Sequence, residues 1–221
     1  MDPARIAALL HPFLDRTLPE VELDRISTYI DLLLRWNSRI NLTAIRNADQ
    51  IVTRHFGESF FLARHLFPDA GSEDGVRSPT GSTTHQPGTV LDIGSGAGFP
   101  GLPIKIWEPH ISLTLVESNH KKAAFLREVI RALTLTDVNV ITARAETLTA
   151  SSDVVTLRAV EQFETILPVA ARLVSSAGRI ALLIGSSQVP ALENLVPSVR
   201  WSSPVLIPES QSRVLSISVP V

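Results

Sequence analysis

The chain has 221 residues, 44% of them hydrophobic, and a formal net charge of −2 at pH 7. It has no cysteine, which excludes disulfides and cysteine-based zinc sites, and we predict no metal site. It lacks a basic leader and any apolar run of the roughly 18–20 residues that a membrane span needs. We therefore expect a soluble, cytoplasmic protein with no membrane partner.

Residues 1–69 are predicted to form a helical extension. The run from Thr17 to Glu20 has the spacing of a capping box, which predicts the start of a long helix there. Apolar residues recur at helical spacing along one face of this helix: Ile26, Tyr29, Ile30 and Leu33. The polar residues 37–41 should end it.

A second helical stretch is predicted between Asn47, which resembles an N-terminal cap, and Pro68, which should stop the helix. Its apolar residues recur less regularly: Ile51, Phe56, Phe60, Ala63 and Phe67. Residues 70–88 are rich in Gly, Ser, Thr and Pro and nearly lack large apolar side chains, which predicts a flexible linker.

Residues 89–221 alternate short β-branched runs with helical stretches. Five runs have the continuous apolar character of buried parallel strands: 89–93, 112–117, 138–142, 153–157 and 179–184. Asn119 can cap the helix after the second run. The pattern predicts an α/β fold, with a mostly parallel twisted sheet and helices on both faces. Two runs within 201–221 are interpreted as an antiparallel pair at the sheet edge.

A glycine-rich turn, with Gly94, Gly96 and Gly98, follows the first strand and opens a helix. Such a turn lets the backbone approach a ligand closely at the carboxyl ends of the strands. Its spacing differs from the dinucleotide fingerprint, and Asp92 would serve a pyrophosphate poorly. S-adenosylmethionine carries a sulfonium and an ammonium and no phosphate, so it suits this turn and Asp92 better. A tight turn without a ligand is the alternative.

Glu117 ends the second strand, where a carboxylate can accept hydrogen bonds from both ribose hydroxyls of an adenosine. A solvated strand-end acid is the alternative, and NAD enzymes use the same device. Ala145 and Glu146 follow the third strand and would lie beside an adenine. Arg158 ends the fourth strand and could meet the cofactor carboxylate or an RNA phosphate. Alternatively it is a surface arginine paired with Glu161 or another acid.

Together these residues resemble the 16S rRNA guanine-N7 methyltransferases, the glucose-inhibited division protein B family. The resemblance covers most of the chain except the linker. The motifs that carry it are Trp36-Asn37, Asn41-Leu42-Thr43, Arg54-His55, Leu91–Pro103, Lys121-Lys122 with Phe125–Val129, Arg144–Glu146 and Arg158-Ala159.

The resemblance implies a Rossmann-like methyltransferase fold that uses S-adenosylmethionine to methylate guanine 527 (standard bacterial numbering) of 16S rRNA. It places five residues at the cofactor, with Glu117 as the expected ribose ligand: Gly94, Phe99, Ala145, Glu146 and Arg158. Two positions depart from the family pattern. Glu58 replaces an aspartate, and Ile184 replaces a lysine, so this chain must hold RNA otherwise if that lysine contacts RNA.

Guanine N7 has a free lone pair and no proton, so its methylation needs positioning and electrostatics rather than a general base. We predict no catalytic acid or base. Five basic residues are candidates for binding 16S rRNA or the small ribosomal subunit: Arg54, His55, Lys121, Lys122 and Arg127. A solvated helix face and a buried histidine are the alternatives. We expect a monomer.

Two other functions remain open at this stage. One is methyl transfer to a small molecule or a protein, which needs the cofactor residues without the basic ones. The other is a non-catalytic RNA- or ribosome-binding module that keeps the fold and does not bind the cofactor. An NAD-dependent oxidoreductase is disfavoured by the glycine spacing and by Asp92.

Overall fold

The computed structural model describes residues 1–68, 88–159 and 162–219, so the predicted linker, apart from Gly88, lies outside the described residues. The helices are α1 (Pro3–Leu10), α2 (Glu20–Asn37), α3 (Ala48–Gln50), α4 (Glu58–Leu66), α5 (Gly101–Trp107), α6 (His120–Ala132), α7 (Phe163–Leu173) and α8 (Leu192–Leu195). The strands are β1 (Thr89–Ile93), β2 (Ser112–Val116), β3 (Val138–Ile141), β4 (Ser152–Arg158), β5 (Val174–Gly185), β6 (Arg200–Trp201), β7 (Val205–Leu206) and β8 (Arg213–Val219).

The strands form one mostly parallel sheet in the order β3-β2-β1-β4-β5-β8-β6, with β7 also paired to β8. The first five are parallel, and β8 runs antiparallel to β5 and to the short strands β6 and β7. All five predicted parallel strands are confirmed, as is the antiparallel pair, which β7 and β8 form. The mostly parallel α/β fold is therefore confirmed.

Side chains on the strands alternate between two apolar cores, because successive residues of a strand point to opposite faces. On β1, Val90 joins the core under α5 and α6, whereas Leu91 and Ile93 join the core under α7 and α8. The N-terminal helices pack into the first of these cores, to which α2 contributes Ile30 and α4 contributes Phe60, both fully buried. One core therefore joins the N-terminal extension to the sheet.

The long helix α2 starts without the predicted capping box. Pro19 occupies the capping position with φ −58° and ψ 152°, and no side chain caps the helix. The amides of Glu22 and Leu23 donate to the Pro19 carbonyl instead. The extended backbone at Pro19 holds Thr17 outside the helix, which explains why the predicted box is wrong. The helix ends at Asn37, as predicted.

A π-helix over Ile51–Gly57 explains the irregular apolar stripe of the second helical stretch. Its hydrogen bonds span five residues, so Ile51 and Phe56, five apart, both point inward and are fully buried. The predicted cap is confirmed at Asn47, whose side chain accepts from the Gln50 amide, and α4 ends shortly before Pro68.

Gly57 lies at the end of the π-helix against the ring of Phe13, and a Cβ built there would lie 2.7 Å from that ring. We expect Gly57→Ala to lower the free energy of unfolding by about 1–3 kcal/mol, because the buried ring must shift. Gly88→Ala is the control, since its Cβ meets nothing closer than the Asp153 carboxylate at 3.7 Å. Denaturant unfolding measures both. A stabilised Gly57→Ala variant, as helix propensity alone would give, would contradict this packing.

Candidate active site

A cavity of about 540 Å³ opens at the carboxyl ends of β1, β2 and β4. Sheets of this kind bind their ligands in that crevice. The last residues of these three strands, Ile93, Val116 and Arg158, all line it. Of the nine residues predicted to contact a cofactor, seven line the cavity: Gly94, Gly96, Phe99, Glu117, Ala145, Glu146 and Arg158.

The glycine turn brings bare backbone to the cavity wall. Its three glycines all have positive φ, between 54° and 90°, a backbone conformation that residues with a side chain rarely adopt. A Cβ at Gly96 would meet only the Gly94 carbonyl oxygen, at 3.7 Å, so the space before it is the cavity itself. A ligand can therefore approach this stretch of main chain closely.

Glu117 fixes the turn from the neighbouring strand. Its carboxylate accepts from the Gly96 amide at 2.9 Å and from the Asn119 amide at 2.7 Å. The side chain of Asn119 in turn caps α6, as predicted. A carboxylate has about four lone-pair sites, so Glu117 still has room for two hydroxyl donors from the cavity.

Asp92 and Gly98, which the sequence analysis assigned to the cofactor, lie behind the cavity wall and are not among the residues that line it. Asp92 is fully buried; it accepts from the Thr156 hydroxyl at 2.8 Å and the Gly101 amide at 3.3 Å. Strand alternation turns Asp92 to the same face as Val90, under α5. Burial raises the pKa of Asp92 to about 6. Asp92 thus ties β1 to β4 and to α5.

Phe99, in the turn, lies between two rings of the N-terminal helices. Its ring stacks on Tyr29 with centroids 5.3 Å apart, and on His55 with centroids 4.7 Å apart. The Tyr29 hydroxyl also donates to the Ala97 carbonyl in the same turn. A Cβ at Gly98 would collide with the Tyr29 hydroxyl, so that glycine serves packing against α2. The N-terminal extension therefore shapes the cavity.

His55 is buried and neutral. The Arg158 guanidinium donates to its Nδ1 at 3.0 Å, and since arginine has no acceptor, Nδ1 carries no proton. The proton is on Nε2, which donates to the Thr43 hydroxyl oxygen at 2.8 Å. Burial, with the charges of Arg158 and Arg54, lowers the pKa of His55 to about 3.

A buried carboxylate, Glu58, holds three arginines. It accepts from Arg54 at 3.0 Å, Arg213 at 2.6 Å and Arg158 at 3.2 Å, and its side chain is 2% exposed. The partner of Arg158 is therefore Glu58, whereas the alternative partner Glu161 lies outside the described residues. Burial of the carboxylate is compensated by the three guanidinium groups.

The five predicted RNA-binding residues do not share one surface. His55 and Lys122 line the cavity. Arg54 lines a neighbouring depression, and Lys121 and Arg127 line two others. The Arg127 guanidinium donates to the Val140 carbonyl and the Thr142 hydroxyl, so it anchors α6 to β3.

The sequence analysis gave no site role to several polar residues of the wall, among them Thr43, Ser118, Arg144 and Gln162. Thr43 was within a quoted motif but was given no role. Gln162 has a left-handed backbone before α7, which no local pattern indicates. Among the described residues, no cluster of three or more His, Asp or Glu could hold a metal, and no helix has the length and apolar character to cross a bilayer.

Comparison with known families gives a match to the model described as rRNA small subunit methyltransferase G, over residues 22–203. A protein named Ribosomal RNA small subunit methyltransferase G from Roseiflexus sp. (strain RS-1) is 38% identical over 213 residues, covering 90% of this chain and 84% of that protein. A protein of the same name from Xylella fastidiosa (strain 9a5c) is 37% identical over 180 residues, covering 78% and 76% of the two chains.

Solved structures share the fold at low sequence identity. The complex titled MtNAS with MTA and tNA has a TM-score of 0.59 at 16% identity, covering 91% of this chain and 70% of that one. Ribosomal protein L11 methylase from Lactobacillus delbrueckii subsp. bulgaricus has a TM-score of 0.56 at 13% identity, covering 75% and 80%. The sheet and its helices therefore have the same fold as these two proteins.

The buried, neutral state of His55 predicts a pH dependence of stability. The unfolded histidine takes up a proton near pH 6.5, but the folded one only near pH 3, so the free energy of unfolding should fall as pH drops below about 6.5. The contribution is at most about 1.4 kcal/mol per pH unit. Asp92, whose pKa is raised by burial, acts in the opposite direction between about pH 6 and 4.

Comparison with His55→Gln isolates the histidine contribution, because Asp92 and the other carboxylates are common to both proteins. Denaturant unfolding at pH 7 and pH 5 should show the stability advantage of the wild type shrinking by about 1–2 kcal/mol. An advantage that does not change between these pH values would show that the pKa of His55 is not lowered in the folded protein, and one that grows at pH 5 would show that the folded histidine is protonated.

Proposed function

The chain belongs to the rRNA small subunit methyltransferase G family, and we propose that it transfers a methyl group from S-adenosylmethionine to N7 of guanine 527 in 16S rRNA. One observation carries the proposal within this family. A bare glycine turn, with φ of 54–90°, and an acid at the end of the next strand face one cavity at the carboxyl ends of the sheet. Membership of this family makes the chain a methyltransferase, and we propose N7 of guanine 527 as the atom that it methylates.

The residues of the cavity fit S-adenosylmethionine. Glu117 has free lone pairs for the two ribose hydroxyls, and the turn at Gly94 and Gly96 leaves room for the methionine part beside main chain. We assign Ala145 and Glu146 to the adenine, as the resemblance implies. Among these groups, only Glu117 is already fixed by two backbone amides, which holds it ready before the ligand binds.

We propose that Arg158 contacts the cofactor and also holds His55 and Glu58 in place. Its guanidinium is bound to Glu58, to His55 and to the Arg54 carbonyl, and its side chain is only 13% exposed. An arginine so engaged has little freedom to reorient toward a ligand. It therefore presents a fixed positive charge at the end of β4.

S-adenosylmethionine supplies an electrophilic methyl group on a positively charged sulfur. The acceptor N7 needs no deprotonation, and the cavity matches that requirement. His55 is the histidine on the wall, and both of its ring nitrogens are occupied, Nδ1 by Arg158 and Nε2 by Thr43. It therefore cannot act as a general base. The chain contributes the positioning of the target guanine and a fixed electrostatic environment.

RNA contacts are proposed at the cavity, at the depression beside it that Arg54 lines, and on the separate surfaces of α6 that carry Lys121 and Arg127. Lys122 lies on the cavity wall, and the side chain of Arg54 is 43% exposed beside it. Lys121 and His55 complete the proposed set, with Arg127 as a weaker member because it already binds β3. The proposed partner is 16S rRNA or the small ribosomal subunit, bound by a monomer. Neutralisation of phosphates by these residues would make binding depend on salt.

Methyl transfer to purified small subunits tests the proposal directly. We expect label from S-adenosylmethionine to enter 16S rRNA as N7-methylguanine at position 527. Gly96→Val should abolish transfer and lower S-adenosylhomocysteine affinity at least 100-fold, because the side chain fills the cavity and the positive φ disfavours it. Gly185→Ala is the control, since Gly185 does not line this cavity and its Cβ would make only ordinary contacts, at 3.6 Å, with the side chains of Ser187 and Gln188. Label in protein or in small molecules only would overturn the proposal.

A further inference from the structure

Thr43 is held on the cavity wall by the last residue of α2. The Asn37 side-chain oxygen accepts from the amides of Leu42 at 2.9 Å and Thr43 at 3.1 Å, and its nitrogen donates to the Thr43 carbonyl at 2.9 Å. Asn37 is 5% exposed, so these hydrogen bonds are shielded from water. The amide and the carbonyl of Thr43 are therefore both held by Asn37, which fixes the position of the backbone that carries its side chain.

The hydroxyl oxygen of Thr43 already accepts two hydrogen bonds. One comes from His55 Nε2, at 2.8 Å, and one from the Ile45 amide, at 3.1 Å. A hydroxyl has two lone pairs and one proton, so both lone pairs are used. No acceptor for that proton exists among the residues that the structure describes, and the side chain lines the cavity.

We propose that Thr43 recognises the substrate base by donating its hydroxyl proton to O6 of the target guanine. The inference rests on the proposed function. The N7 edge of guanine presents two acceptors, N7 and O6. The N7 lone pair must stay free to receive the methyl group, so a fixed donor on the wall pairs with O6.

The chain Arg158–His55–Thr43 makes this hydroxyl a donor only. A free hydroxyl can donate or accept, and it would serve an amino group as well as a carbonyl. Here Arg158 fixes the proton of His55 on Nε2, and His55 fills a lone pair of Thr43. Adenine presents an amino donor beside N7, which the filled oxygen cannot accept. The arrangement therefore selects guanine over adenine at the reacting edge.

A base analogue and a pair of variants test this recognition. Small subunits are reconstituted with 16S rRNA that carries either guanine or 2-aminopurine at the target; the analogue keeps N7 and lacks O6. We expect the wild type to lose at least about tenfold in kcat/KM on the analogue. Thr43→Val should lose a similar factor on guanine and show less than a twofold difference between the two bases. Thr43→Ser, which keeps the hydroxyl, should retain the preference for guanine.

Calorimetry with S-adenosylhomocysteine separates base recognition from cofactor binding, and Thr43→Val should bind it within threefold of the wild type. A parallel loss of that affinity would assign Thr43 to the cofactor and overturn the inference. Equal wild-type rates on guanine and 2-aminopurine would overturn it too, even if Thr43→Val fails to fold. A wild type that methylates neither particle would instead refute the proposed function.

Discussion

The cavity of this protein depends on one contact, the packing of Phe99 between Tyr29 of α2 and His55 of the π-helix. A glycine-rich turn has little shape of its own, because its residues have few side chains to pack. Phe99 gives the turn an apolar anchor, and the Tyr29 hydroxyl binds the carbonyl of Ala97 beside it. The N-terminal helices are thus part of the site, and they share a core with the sheet.

The charges around the cavity follow from the same packing. Burial makes a protonated His55 costly, and Arg158 on its Nδ1 fixes the neutral ring in one tautomer. Arg158 can stay charged at this depth because Glu58 compensates it, and Glu58 in turn is compensated by Arg54 and Arg213. The replacement of aspartate by Glu58 thus falls at the centre of the network. Ile184 is buried in the apolar core under α7, where a lysine would need a polar partner.

Local patterns predicted the sheet well, because buried parallel strands are continuous apolar runs and each was bounded by turn residues. The glycine turn and Glu117 were found for the same reason, since their positions follow from the strands that they end. Long-range features had no such signal. Asp92 was assigned to the cofactor for its charge. No local pattern shows that it is buried under α5, because its hydrogen-bond partner Thr156 is 64 residues away. The role of Thr43 depends on Asn37 and His55 meeting in space, and the motif letters alone do not show their hydrogen bonds.

Amide hydrogen exchange in the turn tests most directly whether the N-terminal helices hold the cavity in shape. Tyr29→Phe removes one hydroxyl and leaves the ring stack in place, so it isolates the hydrogen bond to Ala97. The account predicts at least about tenfold faster exchange for the peptide spanning residues 94–98, with unchanged exchange in β5, because a buried carbonyl loses its partner. Unchanged exchange in the turn of a folded Tyr29→Phe variant would contradict it and would show that the turn keeps its shape without the hydrogen bond from α2.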